Sequence, residues 1–195
     1  MTQAFVLGNG ISRRGISLPT LQQLGKIYGC NALYREFTPD VLVATDKPIS
    51  TVIQESGYAK LNNFYTRRPI DGFGAKRVLE EYHGYSSGPN ALGLAARHGN
   101  IHVYLLGFDM GPTENKLFNN VYASTEFYKT TEHPPTFVGN WVKQVLRVFQ
   151  DHPHTQFIRV VGPTTATIPE LDRASNLTHL DLEDFVDRIN NKKDL

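Results

Sequence analysis

The sequence predicts an α/β protein in which a mostly parallel β-sheet carries helices on both faces. Two observations support this fold class. Strand-like runs alternate with helical segments along the chain, and several of those runs are apolar throughout. Such runs are typical of strands that are buried on both faces, as in parallel sheets covered by crossover helices.

The first half of the chain contains four predicted strands and two predicted helices. Apolar runs place the strands at residues 5–7, 27–31, 41–44 and 61–65. A helix over 18–24 has Ser17 as its N-cap and Pro19 in its first turn, which favours helix initiation. A second helix covers 48–56 and ends at Gly57.

The second half contains two further strands, at 101–106 and 157–161, and three helices, at 90–98, 141–149 and 181–190. Gly99 supplies the stop for the first of these helices. Residues 67–85 show no clear period. Residues 111–136 carry little periodicity either, and we expect them to form a lid or flap. Residues 190–195 are expected to be a solvated end.

Size and composition predict a single domain over residues 1–195. The net charge of +1 gives no overall field that would attract nucleic acid or an anionic membrane. No apolar stretch approaches the roughly 20 residues of a membrane span. One cysteine, Cys30, fits a reducing compartment, so we expect a cytoplasmic protein. The composition leaves open a homo-oligomer.

Polar residues follow the predicted strands at the points where those strands end. Gly8-Asn9-Gly10 follows the first strand, Asn31 ends the second, and Asp46 and Asp109 follow two others. Ligands of parallel α/β sheets bind outside the carboxyl ends of the strands. The sequence therefore predicts a ligand site at this edge of the sheet.

The loop after the first strand reads GNGISR and includes Gly8, Asn9, Gly10 and Ser12. It differs from the dinucleotide fingerprint because Arg13 replaces the third glycine and the second strand ends in an amide instead of an acid. It also lacks the Lys-Ser/Thr pair of a Walker A loop. Two interpretations remain: a tight turn, or a loop that lets a phosphate approach the backbone.

The segment SSGPN begins a predicted helix with Ser86, Ser87 and Gly88. Free backbone N–H groups and the positive end of the helix dipole form an anion site at such a position. The simpler interpretation is capping of the helix by Ser86 or Ser87.

Titratable residues offer several candidates for catalysis. Asp46 and Asp109 are suited to act as a general base or to hold ribose hydroxyls. The alternative for each is an Asx turn, which is common at a strand end. His83 and His133 are the histidines whose positions suit catalysis. No Asp-x-Asp pair occurs, so we expect no metal-dependent nucleotide-sugar site.

The succession GNGISR, GCN and SSGPNALGLAARHGNIHVYLLGFDMG resembles the bacterial sialyltransferases of glycosyltransferase family 42. It is also similar to the MptE-like pterin pyrophosphokinases, which share the pattern found here as PDVLVATD, residues 39–46. The first resemblance implies a Rossmann-like fold with a small lid, a metal-independent reaction and a cytidine monophosphate sugar as donor.

The same resemblance implies roles for individual residues. Asn9 and Gly10 would contact the phosphate and nucleoside of the donor, and Asn31 its nucleotide or sugar. Ser87 and Gly88 would bind on the phosphate side. Gly107 and Asp109 would line the nucleoside pocket.

The chain departs from the family in its catalytic residues. The family's general-base histidine follows a Tyr-Ile-Gly-like step, but here Phe137-Val138-Gly139 is followed by Asn140. The first of two expected tyrosine positions is Gly111, and Tyr122 and Tyr128 lie further along. Either His133 or Asp46 serves as base, or the reaction differs, or the protein only binds.

We therefore expect a metal-independent glycosyltransferase-like protein that needs no cofactor and uses a CMP- or UDP-linked sugar. Its partner would be a small nucleotide or nucleotide sugar, with no specific nucleic acid. The alternatives are an MptE-like pyrophosphokinase, with Mg²⁺ held by Asp46 and Asp109, and a non-catalytic nucleotide-binding protein.

Overall fold

A computed structural model describes residues 2–191 and 195, and all strands within them form one parallel sheet. The eight strands are β1 Gln3–Leu7, β2 Lys26–Cys30, β3 Val41–Val43, β4 Phe64–Thr66, β5 Lys76–Arg77, β6 His102–Leu106, β7 Gln156–Val161 and β8 Leu177–Asp181. Their order across the sheet is β5-β4-β3-β2-β1-β6-β7-β8. The predicted α/β, Rossmann-like class is confirmed.

Helices cover both faces of this sheet, as predicted. They are α1 Leu18–Leu24, α2 Lys47–Glu55, α3 Tyr58–Leu61, α4 Ser87–Arg97, α5 Gly139–Asp151 and α6 Leu182–Asn190. Helices α4 and α5 pack on the face that includes Val6 of β1, whereas α1, α2 and α6 pack on the face that includes Phe5. Successive residues of β1 therefore point into two separate apolar cores, which is why its sequence is apolar without alternation.

Strands β1 and β6 are neighbours near the middle of the sheet, with Phe5 opposite Tyr104 in the parallel register. From β1 the chain builds the sheet outwards through β2, β3, β4 and β5, then returns to β6 on the other side of β1. The connection after β1 therefore leads to one side of the sheet, and the connection after β6 leads to the other side. This topological switch point opens a crevice between the two following loops.

Several predicted bounds need correction. The strand predicted over 61–65 lies at Phe64–Thr66, because Leu61 belongs to α3 and is 88% exposed. The second strand ends at Cys30, so Asn31 begins a 3-10 turn instead of closing the strand. Helix α4 begins three residues before the predicted start at residue 90. Ser17 does cap α1, accepting a hydrogen bond from the Thr20 amide.

Two edge strands, β5 and β8, were not predicted. β5 consists of only two residues, and both are exposed. β8 lies at the other edge of the sheet, and its side chains are exposed or only partly buried. Asp181 ends β8 and also caps α6, accepting from the backbone N–H groups of Glu183 and Asp184. The solvated end predicted for 190–195 includes residues 192–194, which lie outside the described part of the chain.

The segment 111–136 contains turns but neither helix nor strand, in agreement with its lack of periodicity. It lies against the loop after β1 and the turn after β2: the Val121 amide donates to the Asn9 carbonyl (2.8 Å), and the Ala32 amide donates to the Tyr128 hydroxyl (3.3 Å). These contacts place the segment at the edge of the crevice. No helix in residues 2–191 is long and apolar enough to cross a membrane.

Candidate functional site

A cavity of about 210 Å³ lies at the carboxyl edge of the sheet, between the loops after β1 and β6 and the start of α4. Ten of the site residues predicted from the sequence line it. Those ten residues are Gly8, Asn9, Gly10, Asn31, Asp46, Ser86, Ser87, Gly88, Gly107 and Asp109. Parallel strands end at one edge, so residues far apart in sequence meet there.

Three glycines allow the two central loops to lie against each other. The Gly10 amide donates to the Gly107 carbonyl at 2.8 Å. A β-carbon on Gly8 would lie 2.5 Å from that carbonyl oxygen, and one on Gly10 would lie 2.4 Å from the Asp109 Cγ atom. Gly107 itself has a φ of +70°, which favours glycine. The glycines are therefore required for packing between the loops, whether or not a phosphate also approaches them.

Asp109 is the centre of a hydrogen-bond cluster beneath these loops and is only 3% exposed. Its carboxylate accepts from the Ser12 amide (3.1 Å) and hydroxyl, the Asn119 amide group (3.1 Å), and the hydroxyls of Thr164 (2.8 Å) and Thr165 (3.3 Å). These donors occupy both carboxylate oxygens. Ser12 does not line the cavity but holds Asp109 in place.

Arg159 on β7 supports the same loop from below and is 2% exposed. Its guanidinium donates to the backbone carbonyls of Phe108 (2.9 Å), Asp109 (3.2 Å) and Ala166 (2.9 Å). Burial lowers the pKa of Arg159, while the nearby Asp109 carboxylate acts in the opposite direction. The loop after β6 is thus fixed by a buried cation and its own buried anion.

Neither serine at the start of α4 caps the helix with its side chain, contrary to the simpler interpretation of SSGPN. The Ser86 hydroxyl accepts from the Trp141 indole N–H at 3.0 Å. The Ser87 hydroxyl accepts from the Thr45 amide (3.1 Å) and donates to the Asn31 side-chain oxygen (2.9 Å). No contact within the described chain uses the backbone N–H of Ser87 or Gly88. The positive end of α4 therefore faces the cavity with free donors.

Asn31 and Asn9 contribute amide side chains from the ends of β2 and β1. Asn31 has a φ of +53°, a conformation that asparagine tolerates better than most residues. Its Oδ1 atom is bound by Ser87, which leaves its amino group without a protein partner in the described structure. The Asn9 Oδ1 atom is buried and accepts no hydrogen bond from the described residues.

The two predicted catalytic residues lie in different places. Asp46 is exposed at the start of α2 and lines the cavity, and its carboxylate has no hydrogen bond or ion pair in the described chain. His133 does not line the cavity: its ring packs edge-on against Phe118, and its Nδ1 atom lies 2.8 Å from the Pro134 carbonyl oxygen. His83 is also outside the lining. The prediction that His133 acts as base stays a prediction.

Burial determines the acid–base properties of Cys30 and of the two candidate tyrosines. Burial raises the pKa of the Cys30 thiol to about 12, so this cavity-lining residue is a poor nucleophile near neutral pH. Burial likewise raises the pKa of Tyr128 to about 12. The hydroxyl of Tyr122, which belongs to the flap segment (residues 111–136), accepts from Arg13 (2.8 Å) and donates to Glu36 (2.6 Å). Neither tyrosine lines the cavity.

Sequence reasoning missed several residues of the lining, among them Asn119 and Asn120 from the flap segment and Trp141 from α5. The asparagines lie in a stretch without periodicity, so nothing in the sequence indicates that it turns back towards β1. Trp141 is the one tryptophan of the chain and is only partly buried. A large aromatic residue at the start of an amphipathic helix is the one signal that could have indicated it.

The described lining of the cavity contains no cationic side chain. No Lys, Arg or His of residues 2–191 lines it. Arg13, which follows the glycine loop, instead turns away and donates to the Gly8 carbonyl at 2.8 Å. Within the same residues, no group of three or more His, Cys, Asp or Glu side chains is placed to hold a metal ion. The remaining walls combine amides, hydroxyls and apolar groups such as Phe108 and Val145.

Comparison of the chain with protein-family profiles, with curated protein sequences and with solved structures found no match.

Proposed function

We propose that the chain binds a nucleotide-activated sugar of the CMP type in the cavity between β1 and β6 and transfers the sugar without a metal ion. The observation that carries this proposal is the start of α4, where the free N–H groups of Ser87 and Gly88 face the cavity. Such a helix start binds phosphate. The crevice also lies at the switch point, where α/β sheets bind nucleotides.

The charge of the lining favours a ligand with one phosphate. The cavity offers a helix dipole, worth about half a positive charge, and no cationic side chain among the described residues. Asp46 adds a negative charge at the rim. A phosphodiester that carries a single charge suits this balance better than the diphosphate of a UDP-sugar or the triphosphate of ATP.

The uncharged lining suits the rest of such a ligand. Amide side chains donate and accept hydrogen bonds and can therefore pair with sugar hydroxyls and with base edges. Asn9, Asn31 and Asn120 are residues of this type that line the cavity. The amide of Asn119 also lies there, but both of its ends are bound to the Ile11 amide and to Asp109. The apolar surfaces of Phe108 and Trp141 are suited to cover ring faces.

In the transfer that we propose, an acceptor hydroxyl attacks the anomeric carbon of the sugar and gives its proton to Asp46. The bond between that carbon and the phosphate oxygen breaks, and CMP leaves with the negative charge. The start of α4 stabilises this charge, so catalysis rests on positioning and leaving-group stabilisation. Asp46 is the choice of base because its carboxylate is free and lines the cavity.

The pyrophosphokinase alternative has less support. It requires a polyphosphate with Mg²⁺ and would use Asp46 and Asp109 as ligands. Both oxygens of Asp109 already accept hydrogen bonds from the protein, and among residues 2–191 no cationic side chain lines the cavity to bind a triphosphate. A non-catalytic nucleotide-binding protein would use the same cavity, and only turnover separates it from a transferase.

A thermal-shift panel tests the proposal directly. We expect CMP and CMP-linked sugars to raise Tm with or without chelator, and UDP-sugars and ATP to have little effect. A ligand at 100 times its Kd adds about 2.7 kcal/mol, which at roughly 2–4 °C per kcal/mol gives a shift of several degrees. No shift with any nucleotide would overturn the proposal. A shift that needs both ATP and Mg²⁺ would favour the pyrophosphokinase.

A further inference from the structure

The side chain of Arg13 packs against the loop after β1 but does not line the cavity, and it is only 7% exposed. Its Nε–H group donates to the carbonyl of Gly8, which does line the cavity, at 2.8 Å. Its Cδ atom would lie 3.2 Å from a β-carbon on Gly107, in the loop after β6. The arginine that stands in place of the third glycine of the dinucleotide fingerprint therefore contacts both loops at the switch point.

The other end of the Arg13 guanidinium binds the flap segment. Its Nη2 group donates to the Tyr122 hydroxyl at 2.8 Å, and that hydroxyl donates to Glu36 at 2.6 Å. Tyr122 is 8% exposed and stands two positions after Asn120, which lines the cavity. Glu36 follows the 3-10 turn that begins after β2. One buried cation thus joins the loop after β1, the flap segment and the turn after β2.

The positive charge of Arg13 also acts at the wall of the cavity. Burial raises the pKa of the Cys30 thiol, which lines the cavity, and the charge of Arg13 acts on this pKa in the opposite direction. The countercharge of Glu36 lies 3.6 Å from the Arg13 Nη2 atom, on a side chain that is 53% exposed. Water screens an exposed charge more strongly than a buried one. The field inside the cavity therefore includes a cation from outside its lining.

We propose that Arg13 is a positioning residue of this site, which holds the flap segment against the loop after β1 and adds positive potential for an anionic ligand. A guanidinium suits both tasks. Its rigid fork of N–H groups binds the Gly8 carbonyl and the Tyr122 hydroxyl at once, and it stays charged at any physiological pH. The inference rests on the proposed function for the identity of its ligand, a nucleoside monophosphate.

Calorimetric titration with CMP and with cytidine separates the charge of Arg13 from its packing. Cytidine is neutral, so a distorted cavity weakens the binding of both ligands, whereas a lost positive potential weakens that of CMP alone. Arg13→Gln should reduce the advantage of CMP over cytidine about five-fold or more, and Arg13→Lys, which retains the charge, should keep most of it. Arg14→Gln removes the same charge from the exposed neighbouring position and should match wild type.

Amide hydrogen exchange of the ligand-free protein tests the link to the flap segment. Tyr122→Phe removes only the hydroxyl that Arg13 binds, and it should speed exchange within residues 111–136 about five-fold or more. Arg13→Lys should have the same effect, because a single ammonium group does not replace the fork. Tyr65→Phe, on β4, removes a hydroxyl that no described residue binds and is the matched control.

The two experiments decide the two parts of the inference. The charge part is overturned if Arg13→Gln keeps the wild-type ratio of CMP to cytidine affinity, including the case in which both affinities fall equally. The positioning part is overturned if the flap segment of Tyr122→Phe exchanges at the wild-type rate. If the wild-type protein binds neither ligand, the proposed function fails and the charge part fails with it, whereas the exchange experiment still decides whether Arg13 holds the flap segment.

Discussion

The carboxylate of Asp109, on the loop after β6, accepts hydrogen bonds from both the backbone amide and the hydroxyl of Ser12, on the turn after β1. This pairing joins the two loops that flank the switch point of the sheet. Asn119 of the flap segment donates to the same carboxylate and also accepts from the Ile11 amide at 2.9 Å. One buried side chain therefore fixes three separate segments around the cavity.

Asp109→Asn should be strongly destabilising. The amide offers one acceptor and one unwanted donor where the carboxylate satisfied several donors, so buried hydroxyls lose their partners. We expect a loss of about 2–4 kcal/mol in the free energy of unfolding, measured by urea denaturation. Asp172→Asn, at an exposed carboxylate, is the control. A variant as stable as this control would show that the cluster contributes nothing.

Gly10→Ala should disturb the same junction through sterics alone. The added methyl would lie 2.4 Å from the Asp109 Cγ atom and 2.7 Å from the Gly107 carbonyl oxygen. Because the second of these is backbone, relief requires the loops to separate, at a cost of about 1–3 kcal/mol. Gly84→Ala provides the matched comparison, since nothing lies within 4 Å of its new methyl. Equal stability of the two variants would mean that the loops yield freely.

The sheet and most of the candidate site could be predicted because their signals are local. Apolar runs identify β1 and β6, and the residues that follow them must meet at one edge of a parallel sheet. The roles of those residues could not be predicted in the same way. Asp109 is saturated by Thr164 and Thr165, which are more than fifty positions away, and no sequence pattern indicates that distance in space.

The edge strands and the path of the flap segment could not be predicted from the sequence for a related reason. β5 forms because residues 76 and 77 lie beside β4, not because lysine and arginine favour strands. Likewise Asn120 reaches the cavity because its segment packs across the loop after β1, where the Val121 amide binds the Asn9 carbonyl. In both cases tertiary context determines the local structure.

Asp46→Asn should reduce turnover of a CMP-linked sugar by about 10²–10⁴-fold, the usual contribution of a general base. Its affinity for CMP should stay equal or rise slightly, because a negative charge is removed from the rim of the cavity. CMP release can be followed chromatographically. His133→Ala is the paired variant and should keep wild-type turnover, since His133 lies outside the cavity lining. The opposite result for the two variants would identify His133 as the base.

Trp141 should report occupancy of the cavity through its fluorescence. It is the one tryptophan of the chain, it lines the cavity, and its indole N–H is bound to Ser86 at 3.0 Å. A ligand at the start of α4 would lie beside this bond and change the polarity around the ring. We expect a saturable change in emission on titration with CMP, with the same Kd as calorimetry gives. An emission spectrum that stays constant while calorimetry detects binding would place the ligand elsewhere.

Cys30 provides a test of burial and binding together. With its pKa raised to about 12, far less of the thiol is ionised at pH 8 than in the unfolded chain, so alkylation of the folded protein should be about a thousand-fold slower. The alkylation rate of the folded protein should still rise across pH 8 to 10, where the rate for the denatured protein levels off near the ordinary thiol pKa of about 8.5.

The raised pKa of Cys30 also has a consequence for stability. Below the pKa of the thiol in the unfolded chain, burial of the neutral thiol contributes fully to the stability of the fold. This contribution falls as the pH rises towards about 12.

Saturating CMP should slow the labelling of Cys30 further, because Cys30 lines the cavity. Labelling of the folded protein as fast as that of the denatured protein at pH 8 would contradict the buried position of the thiol.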